Sequence, residues 1–238
     1  MNIALIGYGK MGKAIEEIAL QRGHSICLKI TSQNTHDLTP NNLKKADAAI
    51  EFSNPKTAVI NLASCMKAGI PVVCGTTGWL KDLHYIETLC KEQNGSFLFS
   101  SNFSVGVNIF FEINNKLASL MDPREDYKVS IEETHHTQKK DAPSGTAISL
   151  AEGIINNLKR KIKWVNGGDA MPGELGIISH RVDDVPGTHK VIYHSEIDDV
   201  EIIHTAHNRR GFAYGAVLAV EYLASRKGIF TMKNVLGI

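Results

Sequence analysis

The sequence predicts an α/β fold: a doubly wound parallel sheet comes first, and a second, mixed-sheet α+β domain is inserted near the C-terminal end. Three observations carry this. Short apolar runs alternate with helical spacings through residues 2–100. A glycine-rich turn, GYGKMG, joins the first run to the first helical segment. Beyond residue 122 the runs lengthen and alternate polar with apolar, as in strands with one face buried and one available.

The elements follow in order. Residues 2–6, NIALI, form a short apolar run that ends at a glycine, as a buried parallel strand does. Met11, Ile15, Ile18 and Ala19 share one helical face over 11–22, and Gly23 stops that helix. Strands are expected at 25–30, 47–52, 71–75 and 96–100, with helices over about 56–68 and 80–92 between them. A helix over 106–121 opens the second part. After Asp122-Pro123 come strands at 127–134, 176–182, 189–196 and 200–207, interrupted by a helix over about 147–159. The breaker-rich stretch 166–173, NGGDAMPG, reads as a mobile loop. The run at 216–225 reads as a helix that packs back on the first domain.

Composition excludes several classes. With 43% apolar and 21% charged residues, the 238-residue chain reads as an ordinary soluble protein. A net charge of +1 argues against nucleic acid or an acidic membrane as a bulk partner. No apolar run approaches the roughly 20 residues of a membrane span, and the opening strand leaves no secretory signal, so cytoplasm is expected. Cys27, Cys65, Cys74 and Cys90 show no CxxC spacing and are expected to pack as small buried hydrophobes.

The sharpest local motif is Gly7-Tyr8-Gly9-Lys10-Met11-Gly12, after a strand and at a helix start. That context is what a dinucleotide fingerprint requires, so the first domain reads as a Rossmann dinucleotide-binding domain. Gly7 permits the tight turn, Gly9 lets backbone approach a pyrophosphate, and Gly12 lets helix and strand pack closely. The helix N-terminus supplies N–H groups for phosphate. The acid expected some 20 residues on is absent. Lys29, Thr31 and Ser32 stand in that region and suit a 2′-phosphate, unless Lys29 merely points into solvent. Two loops, Phe52-Ser53-Asn54-Pro55 and Gly75-Thr76-Thr77-Gly78, fall at strand C-termini, where ligands bind in such sheets.

The densest chemistry lies at 132–147, EETHHTQKKDAPSGTA. His135, His136 and Lys139 are followed by Ser144, Gly145 and Thr146 at a helix start. Ser144 and Thr146 suit helix capping, and a helix N-terminus beside basic side chains makes an anion site. Imidazoles titrate near neutrality, so the segment suits an anionic substrate that must receive a proton. Adjacent residues of a strand face opposite ways, which leaves a structural role open for one histidine. No cysteine or HxxxH spacing accompanies the pair, so no metal is expected.

GYGKMG, FSNP, GTTG, SSNFSVGVN and above all EETHHTQKKDAPSGTA resemble the 4-hydroxy-tetrahydrodipicolinate reductase (dihydrodipicolinate reductase) family. The resemblance runs to the last helix and includes Arg209 with FAYGAV at 212–217. It implies NADH- or NADPH-dependent reduction of a cyclic dicarboxylate in lysine and diaminopimelate biosynthesis. It implies a dinucleotide-binding domain of residues 1–104, completed by 210–238, and a substrate-binding and tetramerisation domain of 105–209. His135 and Lys139 are then the catalytic pair, either of which supplies the proton as hydride adds to a conjugated imine. His136, Ser144, Gly145, Thr146 and Arg209 hold the substrate carboxylates. The loop of Gly7, Gly9, Lys10, Met11 and Gly12, together with Phe52, Gly75, Thr77, Ser100, Asn102 and Phe103, lines the cofactor.

Departures from the family pattern touch cofactor choice and assembly. Thr137 and Gln138 stand where some members carry further basic residues, and the RVDDVPGTH run at 181–189 lacks a glycine that many have after the arginine. Lys29, Thr31 and Ser32 lead to the expectation that NADPH is used at least as well as NADH. The alternating strands at 176–207 leave a sheet face that one helix cannot cover, so a homotetramer is expected. An amino-acid semialdehyde dehydrogenase, the main rival, would need a catalytic cysteine, and no cysteine follows Cys90. A non-catalytic dinucleotide sensor would not need the HHxxK run beside SGT.

Overall fold

A computed structural model of the chain describes residues 1–208 and 210–238. The chain divides into two units, residues 1–105 with 210–238, and residues 106–209. The first unit begins β1 (Asn2–Ile6), α1 (Lys10–Gln21), β2 (Ser25–Ile30), α2 (Pro40–Leu43), β3 (Ala48–Glu51), α3 (Pro55–Lys67) and β4 (Val72–Cys74). A 3-10 turn at Leu80–Asp82, α4 (Leu83–Glu92) and β5 (Ser96–Phe99) follow. α5 (Val105–Met121) leads into the second unit, made of β6 (Lys128–His135), α6 (Gly145–Asn157), β7 (Lys163–Asn166), β8 (Glu174–Arg181), β9 (Gly187–His194) and β10 (Asp199–Ala206). α7 (Arg210–Leu223), β11 (Gly228–Phe230) and α8 (Met232–Leu236) return to the first unit.

The first sheet runs β2-β1-β3-β4-β5-β11 with every pair parallel. Side chains alternate between its faces. Ile3 and Leu5 pack with Ile15 and Ile18 of α1 and with Ala213, Ala216, Val217 and Val220 of α7. Ala4 and Ile6 belong to the opposite core, with Leu62 and Met66 of α3 and Ile86 and Leu89 of α4. Burial on both faces explains why these strands read as apolar runs. Strand order reverses between β1 and β3, the topological switch point at which such sheets bind ligands.

The second sheet runs β10-β9-β6-β8-β7. β9 pairs antiparallel with β6 and β10, while β8 pairs parallel with β6 and β7. On one face, Val129, Ile131, Leu175, Ile177, Val191 and Tyr193 pack beneath α5 and α6, which contribute Phe110, Ala118, Leu150 and Ile154. The other face carries Ser130, Glu132, Lys190 and Ile192, all only partly buried, and Ile203 on the edge strand is 56% exposed.

Some elements differ from their sequence expectation. α7 starts at Arg210 rather than 216: Gly211 and Gly215 of GFAYG do not break the helix, and Gly215 serves packing. A Cβ on Gly215 would lie 1.7 Å from the Phe103 carbonyl oxygen. β7 ends at Asn166, the first residue of the stretch read as a loop, and 167–173 carry no strand or helix. β7, β11, α2 and α8 are too short to show a period. Cys65, Cys74 and Cys90 are buried as expected, but Cys27 is exposed on the edge strand β2. Arg209, expected to hold substrate, lies outside the described residues.

Candidate active site

The glycine turn closes over the end of β1. Gly7 has φ +96°, open to glycine at little cost, and a Cβ there would lie 2.0 Å from the Phe52 carbonyl oxygen. Gly12 approaches the Gly7 carbonyl oxygen so closely that a Cβ would meet it at 2.4 Å. Gly9 differs: a Cβ there would meet nothing within 4 Å. Two glycines thus pack the turn, while the third faces open space at the N-terminus of α1, which fits an approaching pyrophosphate. Lys10 is exposed and Met11 half-buried beside it.

Near the end of β2, Lys29 is not simply solvated. Its Nζ lies 2.7 Å from Glu16 Oε1 and 4.9 Å from the centroid of the Tyr8 ring. The Tyr8 hydroxyl donates to the other Glu16 oxygen. Hydrogen bonding to Lys29 and Tyr8 holds the Glu16 carboxyl below its ordinary range, and the Glu16 carboxylate raises Lys29. Thr31 is committed to a turn, its N–H and hydroxyl both donating to Asn34 Oδ1 at 2.7 and 2.8 Å. Ser32 is exposed.

The loops after β3, β4 and β5 are knitted by Phe52. Its ring fills the place of a Cβ on Gly75, at 2.1 Å, and lies 5.5 Å from the Phe103 ring. The glycine at 75 therefore makes room for Phe52 itself. Glu51, fully buried at the end of β3, accepts from Ser53 N and Asn61 Nδ2 at 3.2 and 3.3 Å and orders that loop. The Ser100 hydroxyl donates to the Asn102 carbonyl at 2.8 Å, and Asn102 Oδ1 accepts from Ser104 N at 2.9 Å. Thr77 is exposed.

In the second unit the sheet register assembles the basic segment. Glu133 lies opposite Ser179 on β8 and His189 on β9, so three polar side chains meet on one face. Glu133 is fully buried. Its Oε1 accepts from Ser179 Oγ, Ser144 N and Arg181 Nη2 at 2.8, 3.1 and 3.3 Å. Its Oε2 lies 3.1 Å from His135 Nδ1. Burial raises the Glu133 pKa, but the His135 ring beside it and the donors Ser144 and Ser179 outweigh it and hold the carboxyl far below the usual range. Burial, with the neighbouring His135, pushes His189 down to about 4. Glu133, His135 and His189 bring possible ligand atoms within 4.8 Å of one another, and His189 Nε2 also engages Ser144 Oγ at 3.0 Å.

Beyond β6 the chain turns at His136 and Lys139, whose N–H donates to the His136 carbonyl at 3.1 Å. Lys139 Nζ sits on both Asp141 oxygens at 2.9 and 2.8 Å. Arg181 fastens this loop by its backbone, donating to the carbonyls of Lys139 and Asp141 at 3.3 and 2.7 Å. Ala142-Pro143 is cis, and Ser144 caps α6, its Oγ accepting from Ala147 N at 3.2 Å. A Cβ on Gly145 would meet nothing within 4 Å, so the first turn of α6 is open there. The structure thus brings His135 and Ser144 to one buried cluster through Glu133, with Lys139 tied in by Arg181.

The dihydrodipicolinate reductase N-terminal family matches residues 1–103, and the C-terminal family of the same reductase matches residues 106–236. The chain belongs to the dihydrodipicolinate reductase family. It is 52% identical to the 4-hydroxy-tetrahydrodipicolinate reductase of Christiangramia forsetii, over 99% of this chain and 98% of that one. Identity to the reductase of the same name from Methanosarcina barkeri is 40%, over 82% of this chain and 74% of the relative. Among solved structures, a dipicolinate-bound dihydrodipicolinate reductase from Paenisporosarcina sp. TG-14 superposes with a TM-score of 0.77 and 21% identity, covering 97% of each chain. That likeness is one of fold.

In this reductase, sequence reasoning missed Glu133, Ser179, Arg181 and His189. Arg181 and Ser179 lie 48 and 46 residues from Glu133 along the chain. The one local signal was alternation: Val129 and Ile131 put Glu133, two residues on, on the buried face, while the groups that meet it there come from distant strands.

Proposed function

We propose that the chain reduces 4-hydroxy-tetrahydrodipicolinate to tetrahydrodipicolinate with NADH or NADPH, within lysine and diaminopimelate biosynthesis. The observation that carries this is the buried Glu133–His135 pair beside the open N-terminus of α6, with Lys139 on the connecting loop. The substrate's carboxylates meet the first turn of α6 at Ser144, Gly145 and Thr146, with His136 and Arg209 as further contacts. Reduced nicotinamide supplies a hydride to the ring, which demands approach to about 3–3.5 Å. His135 or Lys139 supplies the proton. Residues of the glycine turn, with Lys10, Met11 and the loops at Phe52, Gly75, Thr77 and Ser100, Asn102 and Phe103, hold the cofactor. The test is spectrophotometric loss of NAD(P)H with the condensation product of aspartate semialdehyde and pyruvate. No consumption of either cofactor would overturn the reading.

The Lys29–Glu16 pair sets a second expectation. Lys29 with Thr31 and Ser32 favours a 2′-phosphate, yet Glu16 already neutralises the ammonium. Lys29→Ala is expected to lower kcat/KM for NADPH about tenfold, roughly one charge-assisted hydrogen bond, and to spare NADH. Glu16→Gln frees the ammonium and is expected to raise NADPH over NADH. Unchanged NADPH use in Lys29→Ala would remove Lys29 from the site.

The enzyme is read as a cytoplasmic homotetramer. No described helix is long and apolar enough to cross a membrane. The face of the second sheet that carries Lys190, Ile192 and Ile203 lies opposite α5 and α6, and β10 is an edge. Edges and uncovered faces invite pairing with another copy. Sedimentation at micromolar concentration should give a tetramer; a monomer would reject this assembly.

A further inference from the structure

Glu133 has no part in the chemistry so far described, yet it is the most heavily bonded acid at the site. Three donors converge on Oε1, from a helix N-terminus, a serine and an arginine. The neighbouring His135, with Ser144 and Ser179, holds it ionised despite full burial. Oε2 has no comparable set. It faces His135 Nδ1 at 3.1 Å and His189 Nε2 at 3.8 Å. In this geometry neither Oε2 nor His135 Nδ1 has an aligned hydrogen bond, and both atoms are buried.

A buried carboxylate oxygen without a donor is costly. A hydrogen on His135 Nδ1 satisfies both atoms after a small ring rotation. His189 is poorly placed to do this, because its Nε2 engages Ser144 Oγ at 3.0 Å and burial keeps its ring neutral. The far nitrogen of His135 has a different setting. Nε2 lies 3.0 Å from where a Cβ on Gly187 would stand. Glycine at 187 leaves that side of the ring clear.

We propose that Glu133 is a positioning residue for His135, fixing the Nδ1–H tautomer and turning Nε2 toward the space left by Gly187. The proton given to the substrate is then the one on Nε2 of the imidazolium. The Nδ1 proton stays between ring and carboxylate, and the Glu133 anion stabilises the charged ring before transfer, as an orienting carboxylate does beside a catalytic histidine. This rests on the reading of His135 as proton donor.

The test is 15N NMR of the imidazoles in the full-length protein, at a pH where the His135 ring is neutral, with His135→Gln for assignment. The wild type is expected to show Nδ1 protonated and Nε2 bare. Glu133→Gln keeps the size of the side chain but presents an amide N–H to Nδ1, so the proton should move to Nε2. Its kcat should fall about 10²–10⁴-fold, the range of a general acid, with substrate KM and NADPH Kd within about threefold of wild type. Glu133→Asp keeps the charge and should recover part of that rate. An Nε2–H tautomer in the wild type overturns the proposal. So does a Glu133→Gln enzyme that binds NADPH and keeps more than about a tenth of kcat. If that variant fails to bind NADPH, the wild-type spectrum decides alone. The tautomer is read without turnover, so a wrong donor shows in His135→Gln kinetics and a wrong tautomer in the spectrum.

Discussion

His135→Gln is expected to lower kcat by about 10²–10⁴-fold while leaving NADPH affinity near wild type. The ring is 8% exposed and is held against Glu133. The proposed cofactor contacts lie on the other unit, around Gly9. Loss of the ring therefore removes the proposed proton donor while leaving the residues of the glycine turn unchanged. Lys139→Ala should behave differently. Its ammonium is half-sheltered and paired with Asp141, at the mouth of a loop read as gripping carboxylates. It should lower kcat and also raise the substrate KM, because a charge contact goes with it. His136→Gln should mainly raise KM. Steady-state kinetics on the three variants, with cofactor titrations, separates these patterns. If His135→Gln and Lys139→Ala both keep more than about a tenth of kcat, neither donates the proton.

Gly215→Ala should destabilise the protein markedly, although alanine is the better helix former. The added Cβ would stand 1.7 Å from the Phe103 carbonyl oxygen and 2.8 Å from its carbon. The obstacle is backbone, so no side chain can swing aside. Overpacking of this kind costs about 1–3 kcal/mol or more, and each kcal/mol lowers Tm by roughly 2–4 °C in a chain of this size. Gly9→Ala gives the contrast. Its Cβ would meet nothing within 4 Å, so Tm should hold while NADPH affinity falls. Calorimetry of both variants checks the pair. An unchanged Tm in Gly215→Ala would mean that α7 does not pack this closely on Phe103.

These residues show what the sequence makes legible. The glycine turn is readable because each glycine has a separate backbone task within six residues. The parallel strands are readable because burial on both faces leaves unbroken apolar runs. The capping serine and the open Gly145 are local to α6, and so they too can be read from a short stretch. Alternation from Val129 and Ile131 puts Glu133 rather than Glu132 on the buried face, but its partners Ser179 and His189 come from the register of β8 and β9, which no local pattern shows. Gly75 invited a ligand reading, yet its space belongs to the Phe52 ring 23 residues earlier. Lys29 likewise showed its charge but not its partner, Glu16 of the preceding helix α1.

The placement of α7 and β11 has a consequence during synthesis. Ile3, Leu5, Ile50 and Val73 find their cover partly in Ala216, Val217 and Val220. The edge of β5 is closed by β11, and the Ser96 hydroxyl is met by the Arg226 carbonyl, 130 residues later. Ribosomes add about 5–20 residues per second. For some seconds, then, the nascent first unit carries an unpaired edge and an apolar face with part of its cover missing. Such surfaces attract other chains. Holding nascent chains apart during that interval should therefore raise the yield of native protein.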